Sequence, residues 1–213
     1  MASIKLKHAS GNSTILNSPA SNPTNDVTLK LPSTTGSAGQ VLQVASANHS
    51  ATNAELEFAA AAGITMADTW YVSSSFTGSA TPISSNWSQY TSHNTGTIGT
   101  GMSQSSGVFT FPSTGIYEML WFAQFFRNGG QVNYAKVYQQ VTTNNNTFTS
   151  VPAPYASVNS GDSSGFWYAN MTSSHILDVT DVGNVKIRFS ADLESSACAV
   201  EQLTVQFVRL GDT

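Results

Sequence analysis

The chain has 213 residues with 8 Lys+Arg against 12 Asp+Glu, a net charge of -4 and a charged fraction of 9%, where an average soluble domain has about 25%. Ser, Thr, Asn and Gly fill the difference, yet 40% of residues are hydrophobic and 10% aromatic, so the low charge does not imply disorder. Such a surface excludes the basic patch of a nucleic-acid partner and of a binder of anionic membranes, and a single cysteine, Cys198, excludes an internal disulfide.

In chain order, Met1 to His8 has charge where an export signal has it but alternates afterwards without an apolar run, so Sec-type export is not expected. Phe58 to Ala62 and Leu120 to Ala123 are the longest apolar stretches, far short of the roughly 20 residues that span a bilayer. No membrane insertion is expected. Residues 1–62 read as an extended arm with short strands. Up to Phe58 there is no Trp or Tyr, and brief alternations (Ile4-Lys-Leu6, Val27-Thr-Leu29-Lys-Leu31, Val41-Leu-Gln-Val44) lie between the breakers Asn17-Ser-Pro19, Asn22-Pro23 and Thr35-Gly-Ser-Ala-Gly39. A segment of this kind cannot bury a core alone, so it is expected to become ordered on other chains. Its anchoring residues are then Ile4, Leu6, Val27, Leu29, Leu31 and Val41.

Residues 63–213 are rich in β-formers: Trp70 to Val72, Val108 to Phe111, Ile116 to Phe126, Val132 to Val141, Phe166 to Tyr168, Ile176 to Val179, Val185 to Phe189 and Leu203 to Leu210. No stretch has helical periodicity. Many short strands with Gly, Asn or Ser turns across about 150 residues predict an all-β sandwich, with a jelly roll as the natural size match. Val185-Lys-Ile-Arg-Phe189 alternates cleanly and has one wet face. Ile116 to Phe126 does not: Tyr117, Met119, Trp121, Ala123 and Phe125 fill one face, while Ile116, Leu120, Phe122 and Phe126 occupy much of the other. A strand apolar on both sides needs cover on both. The second cover is expected to be a neighbouring subunit, contacting Ile116, Glu118, Leu120, Phe122, Gln124 and Phe126, with Glu118 and Gln124 hydrogen-bonded.

Gly107-Val-Phe109-Thr-Phe-Pro112-Ser-Thr-Gly115-Ile-Tyr117 resembles the central motif of the complement globular-head and tumour necrosis factor-like family. Leu177 to Phe189 and Leu203 to Leu210 look like its later strands. The resemblance implies a jelly roll that forms homotrimers around one sheet. Acidic residues are too scattered to carry over the calcium sites of some relatives, and no Gly-x-y stalk is present. Asp26 to Gln43 resembles an element of tailed-bacteriophage fibre and appendage proteins, where it stands before a variable head, with Glu55-Leu-Glu-Phe58 as its closing strand. Together these imply a virion protein whose arm docks on other virion proteins and whose head projects.

Chemical motifs add little. Gly161-Asp-Ser163-Ser-Gly165, with His175 and Asp178, matches a nucleophile-elbow pattern, but the strand before and helix after are missing. Asp178, Asp181 and Asn184 read as a turn around Gly183. Four scattered histidines with one cysteine make no zinc spacing. No catalytic residue, metal or cofactor is expected. Trp87, Tyr90, Tyr155, Phe166, Trp167 and Tyr168 stand in probable loops, and Trp87, Tyr90, Trp167 and Tyr168 are candidate contacts for a host glycan or protein receptor. The expected function is that of a non-enzymatic virion structural protein, a homotrimeric tail fibre or receptor-binding appendage. A capsid fibre or decoration protein is the alternative, and a carbohydrate-binding module a further one.

Overall fold

In a computed structural model, residues 3–7, 13–17, 28–50, 53–60, 63–92, 96–129, 132–158 and 166–213 are described. They form sixteen strands and no helix. The chain divides into two compact units, residues 1–62 and 63–213.

In the first unit, β1 (Ser3–Lys7) pairs antiparallel with β2 (Ser13–Asn17). A second sheet has the order β3-β5-β4, in which β3 (Thr28–Lys30) runs parallel and β4 (Gln40–His49) antiparallel to β5 (Asn53–Ala60). The turn into β4 is closed by Gln40 N–H donating to the Ser37 carbonyl and Ser37 N–H donating to Gln40 Oε1, with Gly39 at a positive φ of 83°. Leu29, Leu31, Val41, Leu42 and Val44 are all exposed. Val41 and Leu42 are consecutive and so point to opposite faces; both faces of this sheet therefore carry apolar side chains that the unit does not cover. Of the anchoring residues read from the sequence, Leu29, Leu31 and Val41 have this exposure. Val27 lies outside the described residues, and Ile4 and Leu6 are described only as backbone positions of β1.

The second unit is a two-layer β-sandwich. Its strands are β6 (Ala67–Val72), β7 (Phe76–Thr77), β8 (Trp87–Gln89), β9 (Ser103–Ser105), β10 (Val108–Thr110), β11 (Gly115–Asn128), β12 (Ala135–Thr142), β13 (Thr149–Ser150), β14 (Phe166–Val179), β15 (Lys186–Leu193) and β16 (Cys198–Gly211). One sheet has the order β14-β11-β16-β6-β8, with β7 also on β16; the other has the order β13-β12-β15-β10-β9. The antiparallel pairs β6·β16, β10·β15, β11·β14 and β12·β13 are nested one inside the next. A long hairpin paired in this way and rolled up also brings β11 against β16 and β12 against β15. That is a jelly roll.

The physical reason for the Gly107 to Tyr117 motif is visible at four of its five fixed positions. Ser106 and Gly107 both have positive φ, 50° and 78°, as the central pair of a tight hairpin turn between β9 and β10 requires. A Cβ on Gly107 would also lie 2.1 Å from the Ile83 carbonyl oxygen. Phe109 is the hub of the core, edge-on to Trp70 at 5.5 Å and Trp87 at 5.0 Å and against Phe207 at 5.3 Å. Gly115 leaves room for the Arg209 side chain, 2.5 Å from where a Cβ would stand. Tyr117 is fully buried, and its hydroxyl donates to the Ser113 carbonyl at 2.9 Å.

A buried carboxylate anchors the β6 edge. Asp68 is 2% exposed. Its Oδ2 accepts from Trp70 Nε1 and Met102 N–H, both at 2.8 Å, and its Oδ1 accepts from Gln89 Nε2 at 2.8 Å and Thr97 Oγ1 at 3.2 Å. Four donors replace the water that this charge lost. They tie β6, β8 and the 97–102 segment together.

Cys198 is buried, and burial pushes its thiol up to about 11. The thiolate is the reactive form, so native protein at pH 8 is expected to resist iodoacetamide while unfolded protein is labelled in full. Rapid native labelling would show that the C-terminal strand opens.

Candidate functional site: a bare sheet face

β11 divides its side chains strictly by parity. Tyr117, Met119, Trp121, Ala123 and Phe125 all have 0% exposure and make the core. Ile116, Glu118, Leu120, Phe122, Gln124 and Phe126, the six residues picked from the sequence, share the outer face, where Leu120 is exposed and the other five are half-buried. The register extends this face across the sheet. Phe122 lies between Thr172 of β14 and Thr204 of β16, and Glu118 between Ile176 and Val208; Thr204 in turn lies beside Tyr71 of β6. Gln124 Nε2 donates to Asn170 Oδ1 at 3.1 Å. The result is a stripe of Ile116, Leu120, Phe122 and Phe126, flanked by threonines at Phe122, and among the described residues of this unit no further sheet lies over it.

The two edges of this face differ. At the β6/β8 edge an open groove of 470 Å³ is lined by Thr69, Tyr71, Tyr90, Gln202, Thr204 and Gln206, among others, with the Tyr71 and Tyr90 rings edge-to-face at 5.7 Å. At the β14 edge, Tyr168 is 60% and Ile176 68% exposed, and Tyr168 leans on Phe126 at 5.0 Å. One edge is concave and the other offers projecting apolar groups.

The opposite sheet is different because the chain covers part of it itself. The segment after β12 hydrogen-bonds along that strand, Val151 N–H to the Gln139 carbonyl and Ala156 N–H to the Ala135 carbonyl, both at 2.8 Å. It turns Phe148 over the Arg188 guanidinium at 4.1 Å and Tyr155 over the Lys136 ammonium at 4.2 Å.

The candidate receptor contacts do not converge. Trp87 is a core residue, 8% exposed, with Nε1 donating to the Ile83 carbonyl at 2.7 Å. Tyr90 and Tyr168 stand at opposite edges of the bare face, and Trp167, the neighbour of Tyr168 in β14, points to the other side of that strand. Tyr71 and Ile176 were missed in the sequence. For Tyr71 the signal was there, since inward Trp70 and Val72 put it outward.

Of the hydrolase-like pattern, only His175 and Asp178 are among the described residues. Ser163 lies outside the described residues. His175 and Asp178 are three apart on one strand and face opposite sides. Asp181 serves the β14–β15 turn, its Oδ1 accepting from Gly183 N–H at 2.7 Å and its Oδ2 from Asn184 Nδ2 at 2.6 Å.

His175 instead stacks on Trp121 at 5.2 Å, with Nδ1 buried and without a hydrogen-bond partner. Burial lowers its pKa below the usual 6.5. A base whose folded pKa is depressed binds fewer protons folded than unfolded, so its contribution is complete above pH 6.5 and is lost as pH falls from there toward the folded value. The melting temperature is expected to drop between pH 7.5 and 5, and less so in His175→Phe. An identical drop in that variant would remove His175 from the account.

No family model matches the chain, and no curated protein sequence matches it. Among solved structures, the chain is similar to PRD1 vertex protein P5, with 15% identity and a TM-score of 0.44 over 70% of this chain and 100% of that one. It is similar to the globular domain of zebrafish complement 1qA protein, with 11% identity and a TM-score of 0.43 over 70% and 99%. It is also similar to Eiger TNF from S. frugiperda, with 13% identity and a TM-score of 0.43 over 71% and 96%.

Proposed function

We propose that the protein is a non-enzymatic structural component of a virion, a homotrimer whose residues 1–62 attach to other virion proteins and whose jelly-roll unit projects for adhesion to a host surface. The observation that carries the assembly half is the bare face of the six-stranded sheet, with a groove at one edge and projecting Tyr168 and Ile176 at the other. Unlike patches at opposite edges fit a head-to-tail contact, in which the groove of one copy takes the projecting edge of the next and the ring closes. Three is the number implied by the resemblance of the Gly107 to Tyr117 motif. The attachment half is supported by the phage-fibre-like Asp26 to Gln43 segment and by the uncovered Leu29, Leu31 and Val41.

The geometry is tested by the double substitution Tyr90→Cys and Ile176→Cys. Mild oxidation is expected to give disulfide-linked species that end at three chains, with buried Cys198 not competing. Linkage by Ile176→Cys alone, ending at two chains, would replace the ring by a two-fold dimer. For attachment, a chain lacking residues 1–62 is expected to keep its oligomeric state and fail to enter particles. Normal incorporation would reject the arm as anchor.

A further inference from the structure

The outer face of the five-stranded sheet, which the assembly reading leaves in solvent, has a recess of 340 Å³, within the roughly 300–1,000 Å³ of small-ligand sites. Lys136 and Tyr138 of β12 line it together with Ser150, Val151, Pro152 and Ala153. We propose that this recess is a saccharide site that takes a neutral pyranose ring. The inference deepens the adhesive part of the proposed function and rests on that reading only for its biological use.

The chemistry on its walls is that of a sugar. Lys136 Nζ is fixed between two rings, 5.1 Å from the centre of Tyr138 and 4.2 Å from that of Tyr155. It donates to Tyr155 Oη at 2.7 Å and pairs with Asp192 Oδ2 at 3.5 Å. Lys136 lines the recess, while Asp192, its partner across the β12·β15 pairing, does not. A sugar hydroxyl at the wall can accept from Nζ, which Asp192 holds in place and whose charge it offsets. An anionic ligand gains little from an ammonium already offset in this way. Ser150 Oγ already accepts from Gln140 Nε2 at 3.2 Å and retains its proton to donate. Tyr138, Val151, Pro152 and Ala153 offer the apolar wall that the C–H face of a pyranose packs on.

The recess is also held in shape before any ligand arrives. Val151 and Ala156 are bonded to the β12 backbone, as described above, and Tyr134 packs edge-on against Tyr155 at 5.3 Å. Preorganised walls reduce the ordering cost of binding. A peptide adding as a strand is not favoured, because β13 and the bridge at Ala156 already occupy the free edge of β12. Three copies on one trimer would convert weak single-site binding into avidity.

The test is saturation-transfer NMR on the full chain with the methyl glycosides of glucose, galactose and N-acetylglucosamine, and with N-acetylneuraminic acid as the anionic probe. At least one neutral glycoside is expected to receive saturation, with millimolar affinity. Asp192→Asn and Lys136→Met, each checked for an unchanged melting curve, are expected to weaken it about ten-fold, the scale of one lost hydrogen bond to a charged group. Thr180→Ala, an exposed position just after β14, should leave it unchanged. Absence of transfer to all neutral glycosides, equal binding by both pocket variants, or loss in Thr180→Ala would overturn the site. Light scattering on the same samples separates the two readings: a trimer that binds no glycoside sinks the pocket alone, and a monomer that binds one sinks the assembly alone.

Discussion

Phe122→Asp is expected to convert the protein from a trimer to a monomer, or to an insoluble species, without unfolding the jelly roll of the soluble fraction. Phe122 is at the middle of β11, on the face away from the core, flanked by Thr172 and Thr204. In a single chain a carboxylate there is solvated and costs little. In an assembly that buries this stripe it is an unpaired charge taken out of water, which costs several kcal/mol for each copy. The asymmetry separates a packing role from an assembly role: Trp121→Asp, one residue away and fully buried in the core, should abolish folding itself. A Phe122→Asp protein that remains a trimer with unchanged melting would place the interface elsewhere.

Asp68→Ala is expected to remove about 3–5 kcal/mol of stability, a large share of the roughly 5–15 kcal/mol that holds a domain folded. The substitution leaves the Trp70 indole N–H, the Met102 amide, the Gln89 amide and the Thr97 hydroxyl facing a cavity, and each unsatisfied buried donor costs about 1–3 kcal/mol before water enters. Asp68→Asn should do less damage overall. Its oxygen still accepts, but its NH₂ faces donors on one side. Denaturant titration reads both, and a loss below about 1 kcal/mol in Asp68→Ala would mean that the clasp is solvated.

Those two residues also mark what the sequence disclosed and what it concealed. The two faces of β11 were legible because eleven consecutive residues keep period 2 with apolar groups on both sides, and the jelly roll followed from strand number and turn chemistry. Val185 to Phe189 was legible in its parity, its Lys and Arg marking the outer side, but that side is not the wet face expected: Lys186 is buried with Nζ donating to the Val182 carbonyl, and Arg188 is half-buried against Phe148. Asp68 was not, because a charged residue at an inward position breaks the alternation that identifies a strand, and only the tertiary donors explain it. β14 was read as two strands, Phe166 to Tyr168 and Ile176 to Val179, whereas it is one strand of 14 residues. Its middle, Asn170 to His175, is an edge segment with a polar outer side, so it lacks the β-branched run that a central strand shows. The saccharide recess was out of reach, since Lys136, Ser150 and Asp192 are brought together only by the β12·β15 and β12·β13 pairings. Tyr155 stood out as a loop aromatic without its partners.

The central claim is that the bare face of the six-stranded sheet is an assembly surface, and the mass of the full chain in solution tests it most directly. Multi-angle light scattering is expected to give three times the mass of the 213-residue chain, independent of dilution through the micromolar range and reduced to one chain by Phe122→Asp. A wild-type monomer at those concentrations would contradict the account, leaving the apolar stripe of β11 without the cover that its sequence demands.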